Sequence, residues 1–258
     1  MFWLNAVTAC SDFSSNNWKS IAYGNGKYVA VGLSGYIAYS TNGISWASKQ
    51  VSNYAWNNIT YGNGKYVAVS GDGVIGYSSD GVNWATKQVT DMYLYGVTYG
   101  NGKYIAVGGN SSISYIAHST DGVNWTTKQV SNRYLYGATY GNGRYIVVGD
   151  GGYIAYSTDG MNWTSKIVGS SSWQSIVYGN GQYVVVGNKG YIAYSTDGIN
   201  WVTKILPSNS GLWNSITYGN GKYVTVGYSG YIANSTDAVN WTIDKIESVR
   251  LNGVCIYQ

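Results

Sequence analysis

Residues 18–51 read WKSIAYGNGKYVAVGLSGYIAYSTNGISWASKQV, and nearly all of the chain is variation on that line. The hexad Tyr-Gly-Asn-Gly-x-Tyr starts at Tyr23 and again at Tyr61, Tyr99, Tyr140, Tyr178 and Tyr218. A second mark, Ser-Thr-Asp-Gly-x-Asn-Trp or a near copy, ends at Trp46, Trp84, Trp125, Trp163, Trp201 and Trp241. Both recur about every 40 residues, the period of a propeller, a solenoid or an array.

The quoted unit holds four short runs: Trp18 to Tyr23, Tyr28 to Gly32, Tyr36 to Ser40 and Trp46 to Val51. Each is rich in aromatic and β-branched residues and bounded by Gly, Asn, Asp or Ser, which marks strands. Asn25-Gly26 supplies the two positive φ angles that a tight hairpin turn demands. No unit carries a helical stripe, and the single proline, Pro207, falls between units. Four strands per unit and six units predict an all-β fold, a six-bladed β-propeller. The expected blades cover residues 18–51, 56–89, 94–130, 135–168, 173–206 and 213–246. The tails 1–15 and 247–258 are expected to close the ring by overlap.

The second mark resembles the Asp-box, or BNR repeat, whose usual form is Ser-x-Asp-x-Gly-x-x-Trp; Ser119-Thr-Asp-Gly-Val-Asn-Trp125 is the shortened version here. With Val-Gly closing strand two, the unit is similar to repeats of sialidases and photosystem-assembly propellers. The resemblance implies that the box forms the turn between strands three and four. It also implies structural roles for Asp80, Asp121, Asp159, Asp197 and Asp237. Blade one departs with Asn42 and blade six with Ala238, so those two turns are expected to be looser.

Charged residues are only 10% of the chain against 28 tyrosines, so Asn, Ser, Thr and Tyr must supply the polar surface. The net charge of +4 is spread by the repeat. Lys49, Lys87, Lys128, Lys166 and Lys204 each follow a box Trp by three residues, where a lysine blunts an exposed sheet edge. Unclustered lysines do not make a nucleic-acid surface. No apolar run reaches transmembrane length, and Met1-Phe-Trp-Leu-Asn is too soon polar for a signal peptide. Cys10 and Cys255 sit one in each tail, as a disulfide clasp if their Cα atoms come within about 7 Å, or as two free thiols.

Catalytic equipment is sparse. Glycoside hydrolysis needs two carboxylates flanking one bond. Outside the boxes, Asp72 and Asp91 are the candidate pair. Sialidases, which the box resembles, use three arginines on the substrate carboxylate and a Tyr/Glu pair. Here the arginines are Arg133, Arg144 and Arg250, and Arg144 occupies a repeated turn. One histidine, His118, and two cysteines give no metal-ligand spacing, and no phosphate loop is present. No catalysis, cofactor or metal is therefore expected.

Binding remains. Alternating strand direction puts the uniform Gly-Asn-Gly and Thr-Asp-Gly turns on one face and the variable connections on the other. Variable loops on a fixed scaffold are where function gathers. Their chemistry is Tyr, Trp, Asn, Asp and Ser: flat rings with polar handles, amides and hydroxyls, which suits sugars. Trp56, Trp173 and Trp213 share a slot with Leu94 and Leu135 and read as packing. The candidate ligand-binding residues are Tyr54, Tyr93, Tyr95, Tyr134, Tyr136, Asp72, Asp91, Asn209 and Asn214. Tyr95 and Tyr136 occupy equivalent places in adjacent blades and are placed to frame a cleft. The reading is a lectin-like module for surface glycans in a bacterial or phage adhesion system. A protein-assembly scaffold is the alternative, and a glycoside hydrolase using Asp72 or Asp91 is third. A rival lectin surface lies on the uniform face, where Lys27, Lys65, Lys103 and Lys222 repeat and could add avidity.

Overall fold

A computed structural model describes residues 17–206 and 212–246. They form six four-stranded antiparallel sheets, each a meander of neighbours in chain order. In blade one the strands are Trp18–Gly24, Lys27–Gly32, Tyr36–Ser40 and Ala47–Gln50. Strands one of successive blades pack side by side around the axis, and strands four lie outermost and exposed. The chain is an all-β, six-bladed propeller. Each strand-one hairpin turns on an Asn-Gly pair at positive φ, 44° and 73° at Asn25-Gly26. Among the described residues, helical geometry is limited to three single turns, Leu33–Gly35, Asp150–Gly152 and Tyr228–Gly230. In each a central Ser34, Gly151 or Ser229 enters the left-handed region, which makes it a tight reversal between strands two and three rather than a continuing helix. The tails, the Cys10–Cys255 pair and Asn209 lie outside the described residues.

The core sits between blades rather than inside one. Val67, Val69 and Ile75 of blade two, for example, meet Leu94, Val97, Tyr104 and Ala106 of blade three. Strand two is therefore apolar on both faces, as Tyr145 to Val148 are, instead of alternating. A seam motif recurs from blades one to six. Tyr66, Tyr104, Tyr145, Tyr183 and Tyr223 each donate a hydroxyl to the carbonyl of the preceding blade's strand-one glycine. The ring of Tyr61 lies flat over Gly24, where a Cβ would come within 2.1 Å of it. Trp56, Trp173 and Trp213 are fully buried.

One irregularity positions the site. In blades two to six the second residue of strand one has no partner in strand two, and the register shifts around it. Such a bulge re-aims a side chain. The residues at these bulges are Asn57, Tyr95, Tyr136, Gln174 and Asn214, at the variable-face end of the innermost strands.

Candidate functional site

Tyr95 and Tyr136 meet across the seam between blades three and four, as their equivalent positions predict, with ring centroids 5.4 Å apart and planes at 66°. Each also lies parallel to the tyrosine two residues before it. Tyr93 and Tyr95 are 6.1 Å apart at 15°, and Tyr134 and Tyr136 are 5.9 Å apart at 5°. Tyr95 contacts Tyr134 edge-on at 6.2 Å. Four rings thus form one cluster, half-buried except for Tyr93, which is 55% exposed. The far edge of Tyr93 reaches blade two, where it covers Gly71.

Asp150, in the strand two-to-three turn of blade four, completes the cluster. Its N–H donates to the Tyr134 carbonyl at 2.9 Å, which fixes the loop beside the rings. Burial raises the Tyr136 hydroxyl above the usual tyrosine range, and the nearby Asp150 carboxylate raises it further. Burial also raises Tyr95, followed by Tyr134, Tyr93 and Asp150. The neighbouring Gly151 leaves room for Arg133, whose Nη1 would come within 2.2 Å of a Cβ there.

Of the other candidate residues, Tyr54 and Asn214 lie in other blades, while Asp72 and Asp91 flank the cluster. Tyr54 packs edge-on against Trp56 at 6.2 Å and belongs to the seam between blades one and two. Asp72 and Asp91 are exposed on the variable face, one in the blade-two loop and one in the connection to blade three, and the two segments touch where Gly73 meets the Thr90 and Met92 carbonyls. Asn214 is half-buried at the blade-six bulge.

The uniform face is occupied with its own structure. In the blade-three turn, Asp121 Oδ1 accepts the N–H groups of Val123 and Asn124 at 2.8 and 2.7 Å. Those donors hold Asp121 well below the usual carboxylate range, and Asp80, Asp159, Asp197 and Asp237 are held down alike. Lys27, Lys65 and Lys103 donate to the carbonyls of Asp80, Asp121 and Asp159 in the next blade at 2.9, 3.0 and 2.7 Å. The outer-strand lysines do more than cover an edge. Lys87, Lys128, Lys166 and Lys204 reach the box turn of the following blade, at 2.7 to 3.1 Å. Among the described residues no group of three His, Cys, Asp or Glu side chains can hold a metal ion.

No family model matches the chain, and no curated protein matches it. Solved structures match over nearly its whole length. Virginiamycin B lyase from Staphylococcus aureus is 17% identical, with a TM-score of 0.82, covering 93% of this chain and 88% of that one. YCF48 bound to D1 peptide is 16% identical with a TM-score of 0.67, covering 89% and 82%. The WD40 propeller domain of Doa1 is 12% identical with a TM-score of 0.73, covering 93% and 86%. At these identities the likeness shows the fold alone, and one fold carries both an enzyme and a peptide complex.

Asp150 and Arg133 are the site residues that sequence reasoning missed. A signal for Asp150 was present, since it is a carboxylate outside the box turns, in a loop of variable composition. The N–H bond that sets its loop against the preceding inter-blade connection recurs in every blade, but only blade four carries a carboxylate at that position, so the repeat marks the place and not the residue.

Proposed function

We propose that the chain is a non-catalytic binding propeller that holds a segment of a partner protein on its variable face. The observation that carries this reading is the partly exposed cluster of Tyr93, Tyr95, Tyr134 and Tyr136 beside the loop of Asp150. Tyrosines give broad contact with few rotors to freeze, the composition of protein-binding surfaces. The glycan reading is weaker, because these rings turn faces and edges to one another rather than presenting a flat platform. YCF48, a propeller of the same fold, is seen with a bound peptide, which supports the protein reading by analogy. We read the Ser-Thr-Asp-Gly-x-Asn-Trp turns as shortened Asp-boxes whose task is structural.

The test is selection of short random peptides on the immobilised protein, run beside a glycan array, with the double variant Tyr95→Ala/Tyr136→Ala as control. Peptides retained by the wild type and weakened about tenfold or more by the double variant support the reading. Saccharides bound on the array and lost in the double variant, with no peptide enriched, overturn it in favour of a lectin. Glycosidase activity lost in Asp72→Asn overturns it in favour of an enzyme.

A further inference from the structure

We propose that the residue anchoring the partner is an arginine, its guanidinium lying against the tyrosine cluster and its fork directed at Asp150. This rests on the peptide-binding reading and adds the chemistry of the ligand. A guanidinium is planar, weakly hydrated and permanently charged, so it stacks on aromatic faces and matches a carboxylate. Aromatic rings next to one carboxylate supply both contacts, cation–π and charge-assisted hydrogen bond.

Charge placement favours a cation. Five carboxylates, Asp80, Asp121, Asp159, Asp197 and Asp237, are consumed by box turns on the opposite face. Asp72, Asp91, Asp150 and Asp244 are the other described ones, and the first three all fall on the variable side of blades two to four. A chain of net charge +4 therefore gathers its uncommitted acids in the sector that holds the rings. The nearby cation is Arg133, which lies over Gly151; Lys19 and Lys189 belong to blades one and five. Asp150 forms no ion pair among the described residues, and its N–H bond to the Tyr134 carbonyl at 2.9 Å keeps its loop beside the rings.

The experiment uses the peptides enriched in the selection above, labelled for fluorescence anisotropy against the full chain. The expected result is that they carry arginine and that citrulline, its uncharged isostere, weakens binding about tenfold, near 1.4 kcal/mol. Asp150→Asn should weaken the arginine peptide to a similar degree while leaving the citrulline peptide where it was. Enriched peptides that need Tyr95 and Tyr136 but lack a cation, or that bind equally after citrulline replacement, overturn this inference and leave the peptide-binding reading standing. Peptides indifferent to Tyr95→Ala/Tyr136→Ala overturn both. The citrulline exchange alters only the peptide, so it decides the matter even if Asp150→Asn folds poorly.

Discussion

At the scale of single residues, the box aspartates bind the turn more firmly than their exposure suggests. Asp121 accepts two backbone N–H groups with Oδ1, the Asn124 amide at 2.8 Å with Oδ2, and the Ser119 hydroxyl at 2.9 Å. Blade one does the same with a neutral group, Asn42 Oδ1 taking the N–H of Ile44 and Ser45 at 2.9 Å. The hydrogen bonds, not the charge, therefore make the turn. Asp121→Ala should cost roughly 1 kcal/mol, as loss of a helix-cap acceptor does, because the turn is open to water and its charge is screened. In a chain this long that is about 3 °C of melting temperature, readable by calorimetry. Asp121→Asn should cost less, since blade one already works that way. The pH dependence follows from the direction of the shift. A carboxylate held below its unfolded value of about 3.9 lends stability above that pH and loses it as the solution is acidified further. Five such groups should make urea midpoints fall steeply below about pH 4, with the Asp121→Asn variant falling less steeply.

At the scale of elements, the seam between strands one decides stability, and two glycines of one turn separate the reasons for glycine. A Cβ on Gly100 would sit 2.1 Å from Tyr140 Cγ of the next blade, whereas a Cβ on Gly102 meets nothing within 4 Å. Gly102 is required only by its φ of 77°. Gly100→Ala should cost about 2–3 kcal/mol by overpacking the seam. Gly102→Ala should cost about 1 kcal/mol, through backbone strain alone. If denaturant titration finds the two equal, the rings do not set blade spacing. The same contrast explains what the chain let a reader see. Period, turn chemistry and the Trp/Leu slot repeat, so the ring and its packing could be read from one blade. The Tyr95–Tyr136 meeting followed from two equal positions in neighbouring copies. Asp150 escaped because only one blade carries a carboxylate at that loop position, and the lysine ties because each joins a residue of one blade to the box turn of the next. Repetition shows what every unit contains, not which unit it touches.

For the whole molecule, the same seam hydroxyls set an alkaline limit. Tyr66, Tyr145 and Tyr223 are pushed up to about 12 by burial first and then by the tyrosine of their own hairpin, Tyr61, Tyr140 or Tyr218. Burial raises Tyr104 and Tyr183 further. Each donates its proton to a glycine carbonyl of the preceding blade, so ionisation removes the donor and places a phenolate against a carbonyl oxygen. A tyrosine whose folded value lies above its unfolded value of about 10 contributes stability that is complete below pH 10. That contribution is lost as pH rises from there towards 12. Because consecutive blades share each bond, one ionisation loosens two sheets. The blades should therefore separate together rather than one by one. Tyrosinate absorbance and the circular dichroism of the sheets, followed together in an alkaline titration, should change in one coincident transition above pH 10. Tyr104→Phe should lower the stability plateau by about 1 kcal/mol, because the Gly62 carbonyl loses its donor. It should also flatten the alkaline fall, since one group fewer titrates. Sheet signal that outlasts ionisation of these five tyrosines would show that apolar burial alone keeps the seams shut.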